Sequence, residues 1–208
     1  MTELRKRCGA VILAGGHSRR MGTCKALLEI GGESMLARMT RQLDGFEERL
    51  LSANDPALAA GLPVTLVPDI YPGAGPLAGL HAALSAAESG MLFCVPCDMP
   101  HFTPALPRLL LARYSGEDAL VCRDSTGRLY PLCGLYAKTV LPALEEQLRG
   151  GRHRVSELLG RIRCTVADMG GLVPDSVFFN MNTLADFRMA VKMDSAAGLC
   201  GCPHSGVL

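Results

Sequence analysis

The chain has 208 residues, hydrophobic residues at 49%, charged residues at 20% and a formal net charge of +1. That length suits one well-buried α/β domain and is short for two. The near balance of charge excludes a general nucleic-acid or membrane-surface binder, and aromatics at 5% with no tryptophan exclude a base-stacking platform for single strands.

Taken in chain order, short apolar runs alternate with helical patterns, as in βα units around a parallel sheet. The basic triplet Arg5-Lys6-Arg7 precedes an apolar run, Cys8 to Ala14, that is too short and wrongly flanked for a signal peptide. Within it, Ala10 to Leu13 reads as a buried first strand. A polar glycine loop follows, then a helix over about 34–43, a strand over 49–53 with Asn54-Asp55-Pro56 as its turn, and a strand over 64–67. After Pro72-Gly73-Ala74-Gly75-Pro76 a small-residue helix is predicted over 77–87, and Pro76 suits its first turn because no intrahelical acceptor awaits its missing N–H. A strand over 91–95 ends at Pro96-Cys97-Asp98-Met99-Pro100. Helices over 104–113 and 140–148 flank strands over 119–123 and 129–136, which Ser125-Thr126-Gly127 joins as a hairpin. A strand over 164–167, a short strand over 177–179 and a helix over 184–193 complete the domain, 1–194, leaving 195–208 as a loosely held tail. The expected fold is a three-layer α/β/α sandwich about a mostly parallel sheet. No stretch approaches the length needed to span a bilayer. Nine cysteines, an odd number at irregular spacing, do not form a disulfide framework and favour a reducing cytoplasm.

Open parallel sheets bind ligands at the carboxyl ends of their strands. Gly15 to Lys25, Cys97 to Pro100 and Asn180 to Asn182 all fall at such ends. In Leu13-Ala14-Gly15-Gly16-His17-Ser18-Arg19-Arg20-Met21-Gly22-Thr23-Cys24-Lys25, three glycines let main-chain N–H groups approach an anion, and Arg19, Arg20 and Lys25 add charge suited to a polyphosphate. It is neither a Walker loop nor a dinucleotide fingerprint.

This segment resembles the signature of the molybdenum cofactor guanylyltransferases, MobA-like enzymes with a Rossmann-like nucleotidyltransferase fold. The similarity continues through Ala26-Leu27-Leu28-Glu29-Ile30-Gly31-Gly32, Ser52-Ala53-Asn54, Asp69 with Gly75-Pro76-Leu77-Ala78-Gly79, Cys97-Asp98-Met99-Pro100 and Asn180-Met181-Asn182-Thr183, in family order. The resemblance implies transfer of GMP from GTP to molybdopterin bearing molybdenum, with release of pyrophosphate. It implies Lys25, Arg19 and Arg20 as catalytic cations, and Leu13, Ala14, Gly15, Gly16, Lys25, Ser52, Asp69 and Asp98 at the nucleotide. It further implies Asp98 as the Mg²⁺ ligand, Asn180, Asn182 and Arg154 at the acceptor, and a molybdoenzyme or cofactor-delivery protein as recipient.

Each assignment has a plainer competitor. Asp98 also suits a turn cap, Asp69 a solvated turn before Tyr71-Pro72, and Asn182-Thr183 an Asx turn capping the last helix. Arg152-His153-Arg154 is equally an exposed charge cluster. Three positions depart from the family pattern: Cys24 replaces an aspartate, Ser52 an asparagine and His17 a lysine. Alternative functions are a related transferase using CTP or a sugar-phosphate acceptor, and a catalytically weakened cofactor-binding protein. Cys94-Val95-Pro96-Cys97 is half of a metal site and reads as core, while Cys200, Cys202 and His204 offer a weak metal motif in the tail.

Overall fold

The computed structural model describes residues 8–15 and 27–199. Its frame is a seven-stranded sheet in the order β5-β4-β1-β6-β8-β7-β9, built from β1 (Cys8–Leu13), β4 (Arg49–Ser52), β5 (Thr65–Val67), β6 (Met91–Pro96), β7 (Ala119–Arg123), β8 (Leu129–Ala137) and β9 (Cys164–Asp168). β1 pairs in parallel with both β4 and β6, β4 with β5, and β7 with β9, while β8 runs antiparallel to its neighbours β6 and β7. The sheet is therefore mostly parallel, as the alternation of elements implied.

β1 explains the arrangement at the level of single residues. All six of its residues are buried, because both faces of a central strand are covered. Ala10 and Ile12 point into one core with helices α1 (Met35–Gln42) and α3 (Ala105–Arg113), while Val11 and Leu13 point into another with α2 (Pro76–Ala86), α4 (Leu141–Arg149) and α5 (Val155–Leu159). These two cores are the spaces between three layers. A third, smaller cluster of Ile30, Met35, Met181 and Ala190 seats α6 (Leu184–Leu199) against the hairpin of β2 (Glu29–Ile30) and β3 (Glu33–Ser34). That hairpin turns through Gly31 and Gly32, both at positive φ (63° and 80°), where a side chain would strain the backbone.

The helices begin as their sequences dictate. The Ser34 hydroxyl accepts the Ala37 N–H and caps α1. Pro76 opens α2 behind Gly75, whose φ of 68° and ψ of −153° suit a residue without Cβ. α2 is buried from Leu77 through Leu84, since it lies between the sheet and α4; its small residues are packing residues.

Several boundaries differ from expectation. The expected strand over 177–179 is a 3₁₀ turn, Asp175–Phe178; Val177 and Phe178 are both drawn into the core, and Phe178 stacks on Tyr130 at 4.6 Å. An alternating strand would have exposed one of the pair. α6 continues to Leu199, beyond the expected boundary at 194, and Arg38 holds Asp194 within it through both carboxylate oxygens. Among the described residues no helix is long and apolar enough to cross a membrane.

Candidate active site

From β1 the chain passes outward to β4 and β5, then returns to pair β6 with the free side of β1. The crevice between β1 and β6 is thus a point where strand order reverses, the place at which open α/β sheets bind ligands. The sheet closes tightly up to that point. Ala14 donates its N–H to the Ser52 carbonyl at 2.9 Å, and Cys97 donates to the Leu13 carbonyl at 3.0 Å. The ends of β4, β1 and β6 are therefore level, and Ala14 (half-buried) and Gly15 (exposed) leave from between them. Gly16, His17, Arg19, Arg20, Cys24 and Lys25 lie outside the described residues.

Asp69 stands beside this exit. A Cβ placed on Gly15 would lie 4.0 Å from Asp69 Oδ2, so the carboxylate faces the start of the loop. Asn54 holds it: Asn54 Nδ2 donates to Asp69 Oδ2 at 2.9 Å, and the Asp69 N–H donates to Asn54 Oδ1 at 2.9 Å. Asn54 is itself fixed at the end of β4, where Ala53 donates to the Val67 carbonyl at 3.2 Å. In the sequence Asn54 belongs both to the expected turn Asn54-Asp55-Pro56 and to the resembling segment Ser52-Ala53-Asn54, without a partner assigned to it. Asp55 does serve the turn, accepting the Ala57 N–H at 2.9 Å, while Asn54 reaches across to Asp69.

Ser52 ends β4 inside the fold. Its side chain is fully buried, and a Cβ on Gly79 would collide with its hydroxyl oxygen. The small residue lets α2 approach β4 closely, with the hydroxyl between sheet and helix.

Across the crevice, β6 ends at Pro96 and Asp98 is half-buried in the turn beyond it. Met99 and Phe102 are buried and anchor that turn to the core. The Asp98 carbonyl accepts the Met181 N–H at 2.8 Å, which brings Asn180 and Asn182 to the same edge. Met181 is fully buried, Asn180 half-buried and Asn182 exposed. At the start of α6, Thr183 Oγ1 accepts the Asp186 N–H at 3.1 Å, and Asp186 Oδ2 accepts the N–H groups of Asn182 and Thr183, each at 2.8 Å.

His101 was not anticipated. It follows Asp98 by three residues, its ring lies 6.2 Å from that of Phe179, and burial holds its imidazole below the usual histidine range, against an opposing pull from Asp194. The only signal was its place after Met99-Pro100. Arg154 is exposed just before α5, and its carbonyl accepts from Gln147 Nε2 at 2.9 Å. α4 starts near Gly90, where Lys138 donates to the Gly90 carbonyl, and climbs past Tyr71, whose hydroxyl donates to Glu145 at 3.4 Å. Arg152-His153-Arg154 thus emerges toward the carboxyl edge of the sheet, with Arg152 in a surface ion pair to Glu146 at 3.7 Å.

Among the described residues no three His, Cys, Asp or Glu side chains cluster as a metal site. A lone carboxylate still fits Mg²⁺, which keeps several waters and takes its remaining ligands from substrate phosphates. The Cys94 thiol is fully buried and pushed well up by burial, the state of a packing residue. Cys200, Cys202 and His204 lie outside the described residues.

A family model described as "MobA-like NTP transferase domain" matches residues 10–164. A relative from Pelotomaculum thermopropionicum, named a probable molybdenum cofactor guanylyltransferase, is 38% identical over 188 residues, covering 88% of this chain and 91% of its own. Another from Cereibacter sphaeroides, named a molybdenum cofactor guanylyltransferase, is 38% identical over 195 residues, covering 90% and 97%. The fold is shared with a crystal structure from Archaeoglobus fulgidus, named molybdopterin-guanine dinucleotide biosynthesis protein A, at a TM-score of 0.80 and 24% identity over 90% of this chain and 99% of that one.

Proposed function

The chain belongs to the MobA-like NTP transferase family, and we propose that it transfers GMP from GTP to the terminal phosphate of molybdopterin, forming the guanine dinucleotide cofactor. The observation that supports the reading is that Gly15 leaving β1, the Asp69 carboxylate beside it and half-buried Asp98 after β6 all lie at the carboxyl ends of neighbouring strands.

The reaction needs alignment more than proton transfer. An anionic oxygen of the acceptor phosphate attacks the α-phosphorus of GTP, a new P–O bond forms, and the bond to the β-phosphate oxygen breaks with departure of pyrophosphate. The nucleophile is already deprotonated, so no strong general base is required; positioning and charge neutralisation carry the rate. Main-chain N–H groups of Gly15 and Gly16 would cradle the triphosphate beside Leu13, Ala14 and Ser52, with Lys25, Arg19 and Arg20 offsetting its charge. Asp69 would accept from guanine N1–H and N2–H₂ together. Asp98 would hold Mg²⁺, which when bound supplies charge neutralisation at the phosphates. Asn180, Asn182 and Arg154 would orient the acceptor, and a recipient molybdoenzyme or delivery protein would take the product.

The test is pyrophosphate release with each of the four nucleoside triphosphates, with and without molybdopterin. Release with GTP that depends on the acceptor is expected. Release with CTP instead, or with a sugar phosphate in place of molybdopterin, would overturn the assignment, and binding without turnover would identify a carrier.

A further inference from the structure

The Asn54–Asp69 pair goes beyond holding a turn together. The Asp69 N–H can only donate, so it fixes which end of the Asn54 amide faces it: Oδ1 accepts that N–H, and Nδ2 is left to meet Asp69 Oδ2. Two bonds between the same two residues close a ring and remove the rotational freedom that a turn aspartate ordinarily has. The other oxygen, Oδ1, is buried and has no hydrogen-bond partner among the described residues. Such an atom is costly to leave unsatisfied; Oδ2, the oxygen that Asn54 holds, is the one that faces Gly15 at the mouth of the crevice.

We infer that Asn54 is a positioning residue that locks the Asp69 carboxylate in the orientation needed to accept two adjacent N–H groups of a purine, and so sets discrimination between guanine and hypoxanthine. The inference rests on Asp69 reading the base, as proposed above. Hypoxanthine keeps N1–H and lacks the N2 amino group, so it differs from guanine by one hydrogen bond to a charged acceptor. That difference corresponds to about 10- to 100-fold in affinity. An Asp69 side chain free to rotate satisfies one donor as readily as two, and the advantage of guanine disappears.

The experiment measures dissociation constants of GTP and ITP, each with magnesium, for the full chain and for Asn54→Asp, Asn54→Ala and Asp69→Asn. Asn54→Asp keeps the acceptor for the Asp69 N–H but loses the donor and sets two carboxylates against each other; Asn54→Ala removes both bonds and stands in if the first variant does not fold. The unaltered chain is expected to prefer GTP by about 10- to 100-fold, and the Asn54 variants to prefer it by less than about 3-fold with ITP affinity little changed. Loss of preference in Asp69→Asn but full preference in the Asn54 variants would overturn the role of Asn54 alone. No preference in the unaltered chain, or full preference in Asp69→Asn, would overturn the base-reading role of Asp69 and this inference with it.

Discussion

Met181 donates its main-chain N–H to the carbonyl of Asp98 at 2.8 Å, so the segment entering the last helix is stitched to the turn after β6. A residue far along the chain thereby sets the backbone of the proposed metal ligand, and the side chains on either side of Met181 stand at the same edge. Substitution of the Asp98 side chain leaves this bond in place, because it uses only main-chain atoms.

Asp98→Asn is expected to lower magnesium-dependent transfer by about 100-fold or more, the scale of losing one well-placed electrostatic group, with a thermal midpoint close to that of the parent. A magnesium titration of turnover checks it; an unchanged rate and magnesium dependence would remove Asp98 from the metal site.

Lys25→Ala is expected to reduce turnover by about 100-fold or more through loss of a phosphate-facing cation, with the fold intact by circular dichroism. Full activity in this variant would contradict a triphosphate held by the loop after β1.

Gly79→Ala is expected to destabilise the chain by about 1–3 kcal/mol through overpacking, because the added Cβ meets Ser52 Oγ and lies 3.4 Å from Leu13 Cδ2. Ser52→Ala alone should cost no stability, since its buried hydroxyl has no hydrogen-bond partner among the described residues. The double variant should recover part of the loss. Urea unfolding of the three proteins measures this cycle, and a large loss of GTP affinity in Ser52→Ala at normal stability would assign the hydroxyl to the nucleotide instead.

Acid stability should depend on the β7–β8 hairpin. Asp124 accepts from the Thr126 hydroxyl at 2.7 Å and the Tyr130 hydroxyl at 2.8 Å, and these bonds hold its carboxyl at about 2 against an ordinary 3.8. With the folded value depressed, its stabilising contribution is complete above about pH 4 and is lost as pH falls through about 2. Asp124→Asn should therefore be less stable near neutrality and show a flatter fall in urea midpoint between those values; an unchanged slope would count against it.

Asp194→Ala should loosen α6 from the β2–β3 hairpin. It removes both carboxylate bonds from Arg38, whose side chain is only 12% exposed. A loss of about 1–3 kcal/mol is expected for hydrogen bonds to a charged group. Faster amide exchange confined to α6 and β2–β3 would show it.

The layers of the fold were legible because periodicity reports burial. β1 is apolar at every position and central, whereas α1 carries Met35, Leu36 and Met39 inward and Arg38 and Arg41 toward polar partners. Pro76 and Gly75 marked the start of α2 for reasons of backbone chemistry alone. What escaped was decided by tertiary contact. Val177 and Phe178 have strand-like composition, yet Tyr130 draws the phenyl ring inward and the segment winds into a turn. α5 is five residues long, too short for a period to register. At the site, Asp98 and Asp69 were visible by position and resemblance. The pairing of Asn54 with Asp69 was not, because the two lie fifteen residues apart, and the burial of Ser52 depends on how closely α2 approaches β4, which a side-chain list does not convey.

A crystal structure of the chain with magnesium and a GTP analogue whose bond between the α- and β-phosphates cannot be cleaved tests the proposed site most directly. The expected density places the triphosphate between the loop after Leu13 and Asp98, with Lys25 on its phosphates and the guanine edge against Asp69. Nucleotide bound at another edge of the sheet, or Lys25 and Asp98 reaching no common ligand, would contradict it.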